Sequence, residues 1–224
     1  MRQSLTKAKI KEIFTSLQGE GPYVGEKHLF IRFCYCNLNC HYCDTDFKPN
    51  DAEEYTVDEL YNKIKDIPCN AISFTGAEPL VEKSFLKIFL EKYKSKLNKK
   101  IYLETNGTLH KELSEIIDFI DIVSMDIKLQ SATKEENKFH DNEEFINIAK
   151  EKELFIKIVF DNKITDEEII KCANLAKKYN LQIILQPKMP LENDLAMINI
   201  FDKFFDIYQN IRLIPQTHKF LNLA

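Results

Sequence analysis

The sequence has no apolar run long enough to cross a bilayer. Its first residues, MRQSLTKAKIKEIF, lack the apolar stretch of a secretory leader. It has no excess of basic charge either. Its 31 Lys and Arg against 35 Asp and Glu leave a formal net charge of −4. That charge provides no global field to attract a nucleic-acid backbone. Internal repeats and low-complexity tracts are also missing. Together these absences leave a cytoplasmic chain with no membrane or nucleic-acid partner, forming one domain over residues 1–224. The composition of what is present, 44% hydrophobic and 29% charged residues, fits a globular protein.

Short β-rich runs alternate with amphipathic segments along the whole chain. Strands are expected at 28–34, 71–75, 101–105, 121–127, 154–160, 182–187 and 212–216. Between them, VDELYNKIKDI, EKSFLKIFLEKY, KELSEIIDFI, NEEFINIAKEK, TDEEIIKCANLAKKY and DLAMINIFDKFFDIY carry apolar residues at helical spacing. Thr56 and Thr165 read as N-caps, the latter with Glu168 three residues on as in a capping box. This alternation predicts an α/β fold with a mainly parallel sheet, open or closed as a β/α barrel. Near-continuous apolar runs such as LFIKIVF suit strands buried on both faces. In such folds the chemistry gathers at the C-terminal strand ends. The segments that follow the strands there are polar: the cysteine run, GAEP, TNG, MDIK and QPKM.

The run FCYCNLNCHYCDT, residues 33–45, holds four of the six cysteines. In a reducing compartment such a cluster is a metal site before it is a set of disulfides. Cys36, Cys40 and Cys43 suit three corners of a 4Fe–4S cubane with one iron left open. A zinc knuckle completed by Cys69 or a distant His is the alternative. Cys34, on the strand, reads as a small buried apolar side chain, and Cys69 and Cys172 read as core or boundary residues.

CNLNCHYC resembles the three-cysteine signature of the radical S-adenosylmethionine (SAM) superfamily, and TGAEP resembles its Gly-Gly-Glu-Pro motif with Ala77 at the second glycine. SLQGEGPYVGEKHLFIRF before the cysteines, CDTDF after them and the closing PQTHKFLNLA narrow the resemblance to the 7-carboxy-7-deazaguanine synthase family, over nearly the whole chain. The resemblance implies a shortened β/α barrel working as a homodimer. It implies a 4Fe–4S cluster, SAM, Mg²⁺ and an electron donor such as flavodoxin or ferredoxin. The implied reaction turns 6-carboxy-5,6,7,8-tetrahydropterin into 7-carboxy-7-deazaguanine with loss of ammonia, a step of queuosine and deazapurine biosynthesis. SAM is cleaved to a 5′-deoxyadenosyl radical that takes hydrogen from C6 of the pterin. The ring contracts, the hydrogen returns and SAM is regenerated.

The resemblance also assigns roles by position. Cys36, Cys40 and Cys43 would hold the cluster, and Thr45 would ligate Mg²⁺. Leu17, Gln18, Gly19, Glu20, Arg32, Thr75 and the carboxylate of Ala224 would meet the substrate, with His218 and Lys219 in the preceding segment. Tyr42, Cys43, Asp44, Gly76, Ala77, Glu78, Ser124, Asp126, Lys128, Gln186, Pro187, Lys188 and Met189 would surround SAM. Glu20 and Glu104 are candidate proton relays, and Glu104, Thr105 and Asn106 form a second rim cluster. Bland readings stand beside these. QGEG suits a plain turn, and Arg32, a charge among apolar neighbours, suits an ion pair. Asn106-Gly107 suits a turn, and GAEP suits a strand-to-helix turn with Pro79 near the helix start. Two other functions remain: a different radical SAM reaction such as a glycyl-radical activase, and a metal-binding protein without catalysis.

Overall fold

The parallel strands of the protein carry two unlike faces, and the period-2 alternation of side chains decides which residues each face receives. In this computed structural model, residues 6–41, 43, 51–188 and 194–223 are described. Nine strands form one sheet in the order β3-β1-β2-β4-β5-β6-β7-β8-β9. They are β1 Lys7–Leu17, β2 Lys27–Phe33, β3 Glu53–Thr56, β4 Ala71–Gly76, β5 Lys100–Thr105, β6 Ile122–Asp126, β7 Glu153–Phe160, β8 Gln182–Pro187 and β9 Ile211–Leu213. From β2 to β9 every neighbouring pair is parallel, and β1 pairs antiparallel with both β2 and β3. Strand order follows chain order from β4 onward and, among the described residues, β9 pairs only with β8, so the sheet is an open, shortened β/α barrel.

The helices are α1 Val57–Ile64, α2 Lys83–Leu97, α3 His110–Ser114, α4 Gln130–Thr133, α5 Phe139–Ala149, α6 Asp166–Tyr179, α7 Asp194–Ile207 and α8 Thr217–Leu221. The outward residues of the strands pack with the helices in one large core. Leu29, Ile31, Phe33, Ile72, Phe74, Ile101, Leu103, Val123, Met125, Ile156, Ile158, Ile183 and Leu185 belong to it, with Phe85, Phe89, Phe145 and Phe204 from the helices. A second, smaller cluster fills part of the other face: Ala71, Tyr102, Ile122, Phe155 and Ile184, with Tyr23 and Ile214 against it.

Both expected N-caps form, and both are full capping boxes. Glu59 completes the box of Thr56, with its amide 3.3 Å from the Thr56 hydroxyl. Four expectations need correction. KAKIKEIFTSL is strand β1 and EEYT is strand β3, neither expected from the sequence. Their charged positions fit because both lie at the antiparallel end of the sheet, where one face meets water. KELSEIIDFI is not one helix but α3 followed by a 3-10 turn over Ile117–Phe119. There the Ser114 hydroxyl turns back onto the Lys111 carbonyl at 2.7 Å, competing with the helical ladder. The last strand covers 211–213 rather than 212–216. Pro215 has no amide to continue it.

His28 sits on the inner face, fully buried beside Tyr23, Phe30 and Tyr102. Its Nδ1 lies 2.8 Å from the Ser73 hydroxyl, and burial lowers its pKa from 6.5 to about 4. The depressed value makes the neutral ring the folded form. Stability is therefore complete above pH 6.5 and declines as the pH falls towards 4, by about 3 kcal/mol in all. His28→Gln is expected to lower stability near pH 7 but to flatten this acid slope, as read from urea midpoints across the range. A slope unchanged in the variant would remove His28 as its cause.

Candidate active site

The loops at the C-terminal strand ends are tied to one another. The Glu78 amide donates to the Tyr35 carbonyl at 2.9 Å, joining the segment after β4 to the cysteine loop. Asn37 of that loop accepts from Asn106 Nδ2 at 2.8 Å and donates to the Thr108 hydroxyl at 2.8 Å. Asn142 of α5 donates to the carbonyls of Asn106 and Gly107. On the other side of the cysteine loop, the His41 amide donates to the Thr133 carbonyl and the Asn39 amide to Glu135. Gly76 has φ +82°, and a Cβ there would stand 2.8 Å from the backbone N and O of Phe33. Only glycine allows β4 to end so close to β2. Ala77 is outside the left-handed region, so its methyl carries no backbone strain.

Glu78 is fully buried. Its carboxylate accepts from the Leu80 amide, the Thr105 hydroxyl and the Asn106 amide, at 3.1, 2.9 and 2.7 Å. Burial raises its pKa to about 7 against the pull of these three donors. In this state it fastens the ends of β4 and β5 to each other.

A second group of residues enters from the opposite side. Leu17 pairs with Lys27 at the start of β2, so the β1–β2 loop begins at the N-terminal end of the parallel strands. It closes through Gln18 N to Glu26 O and Gly25 N to Gln18 O. Tyr23 stacks edge-on against Tyr102 and hydrogen-bonds Glu153, the first residue of β7. Gln18 and Glu20 thereby reach inside. Gln18 Nε2 donates to Glu104 at 3.0 Å, and Glu104 also accepts from the Thr75 hydroxyl at 2.6 Å. Gln18 Oε1 accepts from the Glu20 amide. The segment after β9 closes over this loop: Gln216 donates to Glu20 at 2.8 Å, and the Thr217 amide donates to the Gly19 carbonyl at 2.9 Å. A Cβ on Gly19 would strike the His218 ring, so this glycine permits the close approach.

Charge alternates across the interior. Lys157 pairs with Glu20 and, at 3.3 Å, with Asp126, and Asp126 accepts from Lys128 at 2.9 Å. Burial drives the Glu20 carboxyl up, but Lys157, Gln216 and His218 outweigh it and bring its pKa down to about 2. Burial opposes the Lys157 ammonium, but Glu20, Asp126 and Glu104 overcome this and raise its pKa.

Arg32 is register partner to Thr75 and so shares its face. Its guanidinium donates to Glu12 at 2.7 Å and lies 4.7 Å over the Phe14 ring, at the half-exposed end of the sheet. The ion-pair reading of Arg32 is therefore realised here.

Cys36 and Cys40 are half-buried and Cys43 is exposed. Burial raises the thiol pKa of Cys36, and that of Cys40 to about 11. The Cys36 and Cys43 thiols add to the rise at Cys40. Among the described residues no three His, Cys, Asp or Glu side chains already converge on a metal position. The donor set still fits an iron–sulfur cluster: three soft ligands on one loop, whose protons a metal would displace. SAM also finds fitting partners. Asp126 Oδ1 and Gln186 Oε1 are buried acceptors without a hydrogen bond, and SAM carries ribose hydroxyls and amino groups to donate. Ser124 is buried on the same face. Cys34 and Cys172 are buried in the core and Cys69 is partly buried against it, as expected.

Comparison with known proteins converges on one family. The model of the radical SAM superfamily matches residues 30–204. A 7-carboxy-7-deazaguanine synthase from Geobacter sulfurreducens is 31% identical over 245 residues, covering 96% of this chain and 97% of the relative. One from Methanothermobacter thermautotrophicus is 32% identical over 254 residues, covering 98% and 99%. The chain belongs to the radical SAM superfamily, in its 7-carboxy-7-deazaguanine synthase family. A crystal structure of QueE from Escherichia coli shares the fold, with TM-score 0.66 over 95% of each chain at 22% identity. As a radical SAM enzyme the protein is expected to carry a 4Fe–4S cluster and SAM. No helix among the described residues is long and apolar enough to cross a membrane.

Of the residues the sequence singled out, Gln18, Glu20, Thr75 and Glu104 come together inside the barrel, as do Asp126 and Lys128. Leu17 is exposed at the start of the loop, and Pro187 and Lys188 end β8 at the rim. Tyr42, Asp44, Thr45, Met189 and Ala224 lie outside the described residues. Sequence reasoning passed over Lys157, Gln216, Asn37 and Asn142. Lys157 had a visible signal, a cation inside the apolar run LFIKIVF, and Gln216 and Asn37 lie inside the PQTHKFLNLA and CNLNCHYC stretches. Gly76→Ala is expected to cost about 2 kcal/mol or more, because both φ and space forbid the methyl. Urea unfolding measures this loss, and a variant as stable as the parent would show that the two strand ends can separate freely.

Proposed function

We propose that this radical SAM enzyme converts 6-carboxy-5,6,7,8-tetrahydropterin to 7-carboxy-7-deazaguanine and ammonia. The observation that carries the reading is the internal array of Gln18, Glu20, Glu104 and Thr75. A pterin edge presents amide and guanidine-like groups, and this array offers both donors and acceptors in a space lined by the sheet. The chain's identity to 7-carboxy-7-deazaguanine synthases over nearly its whole length supports the same reading.

Each residue then has a task. Leu17 and Gly19 present backbone groups beside the pterin. Gln18 and Glu20 hold its N–H and carbonyl edge, and Glu104 and Glu20 are placed to move a proton. Arg32 leaves its exposed pair with Glu12, worth under about 1 kcal/mol, to fork the substrate carboxylate. On the other ligand, Gly76 and Ala77 offer backbone, and Ser124, Asp126 and Lys128 take the ribose and carboxylate. Gln186, Pro187, Lys188 and Met189 take the adenine side, with Tyr42 and Asp44 near the cluster. Glu78, with its oxygens on Leu80, Thr105 and Asn106, holds the Gly76–Ala77 backbone in position. Cys36, Cys40 and Cys43 would hold the cluster and Thr45 the Mg²⁺. When bound, the cluster supplies the electron that starts SAM cleavage. The protein's own contribution is to fix the two organic molecules against each other and to keep water out. The reading extends to a homodimer in the cytoplasm, reduced by flavodoxin or ferredoxin.

Anaerobic assay with carboxytetrahydropterin, SAM, reductant and Mg²⁺ tests this directly. Deazaguanine product is expected, and its absence from cluster-loaded enzyme would sink the substrate assignment. Cys36→Ala should lose bound iron and the brown colour together with activity. Thr45→Ala should weaken the response to Mg²⁺ while keeping the cluster, and an unaltered metal response would remove that role.

A further inference from the structure

Lys157 projects from the middle of β7 to the inner face and is nearly fully buried. It is in register with Asp126 on one side and Ile184 on the other. Its ammonium contacts Glu20 Oε2 and lies 3.3 Å from Asp126 Oδ2. It therefore joins the loop that entered from the N-terminal strand ends to the strand end that carries the other half of the site. We propose that Lys157 is the positioning residue that holds Glu20 inside the barrel as an acceptor for the N–H groups of the pterin. This rests on the pterin reading above and adds to it a residue outside the set that touches the substrate.

The hydrogen-bond inventory supports this role. A carboxylate has about four lone-pair directions. In Glu20, Lys157 takes one on Oε2 and Gln216 one on Oε1. Beyond these two bonds the carboxylate has further acceptor directions that a ligand N–H can use. The cation is essential because of burial, which by itself would favour the protonated carboxyl. A protonated Glu20 would turn one of its acceptor oxygens into a donor and lose the charge that strengthens the other, so its hold on the pterin N–H groups would weaken. The groups facing Glu20 are Lys157 of β7, Tyr102 of β5, and Gln216 and His218 after β9, while Asp126 of β6, Glu104 of β5 and Lys128 face Lys157 from its other sides. Lys157 is the one lysine among the groups facing Glu20. Asp126 in turn keeps Lys157 in place and is itself held by Lys128, which acts on the thiols of Cys36 and Cys40.

The test is fluorescence titration of the loaded protein with 6-carboxypterin, together with steady-state turnover of the tetrahydropterin, each on the acid and alkaline sides of neutrality. Lys157→Met is expected to weaken pterin binding and raise KM by about 30-fold in acid, with kcat falling far less. Most of the affinity should return in alkali, as Glu20 ionises again. Lys157→Arg should restore binding to within about fivefold at both conditions, since it keeps the charge. Glu20→Gln is expected to weaken binding about tenfold with no such pH dependence, and adding Lys157→Met to it should change little more. If Lys157→Met fails to fold, Glu20→Gln and Lys157→Arg still decide the matter. A Glu20→Gln that binds as tightly as the parent overturns the proposal, and so does an arginine variant as weak as the double variant. A Lys157→Met that lowers kcat and affinity equally at all pH also overturns it, since that marks only loss of structure. A parent enzyme that neither binds carboxypterin nor makes deazaguanine overturns the pterin reading and this proposal with it. Normal parent behaviour with an unaffected Lys157→Met overturns this proposal alone.

Discussion

Each parallel strand from β2 to β8 meets two different environments, and its alternation is the constraint from which the rest of the structure follows. Facing out, residues such as Ile72, Phe74, Leu103, Val123 and Ile156 are sealed under the helices. Facing in, their neighbours Ser73, Thr75, Ser124 and Lys157 are also out of water but are polar, and Glu104 beside them is half-buried. A one-residue slip in any strand would exchange the two sets. It would place charges under helices and apolar side chains in the site, so the packing energy of the outer core also sets the register of the chemistry.

Polar groups buried on the inner face must find partners. They do so mostly across elements rather than along them. Glu104 of β5 accepts from Thr75 of β4 and Gln18 of the β1–β2 loop, and Lys157 of β7 joins that loop to β6. These bonds locate loops that the outer core does not touch. They also explain why the structure needs glycine at Gly76 and Gly19, where chain segments meet too closely for a side chain. The site is thus assembled from two ends, with the cysteine loop, Gly76–Glu78 and Asn106 on one side and Gln18–Glu20 on the other.

Much of this was legible in the sequence. The central strands and the capped helices follow from patterns a few residues long, and the cysteine spacing with the QGEG, TGAEP and CDT motifs points to the family. Strands β1 and β3 were not legible, because strands at the antiparallel end of the sheet, with one face in water, tolerate charges that hide their period. The helix at 111–120 was misread because helical spacing does not reveal that a serine will bond back to the main chain.

What the sequence determined alone is local: period, caps, and the donor set of three thiols on one loop. Tertiary structure decided which distant residues share a space. The Arg32 guanidinium meets Glu12 because β1 runs alongside β2. Glu78 looked free to meet a ligand, yet its oxygens fasten two strand ends. Lys157 looked like part of an apolar strand, yet it is the cation between Glu20 and Asp126. The physical reason is common to all three. A polar side chain on a sheet is decided by its partner, and the partner lies between 20 and 137 residues away in the chain.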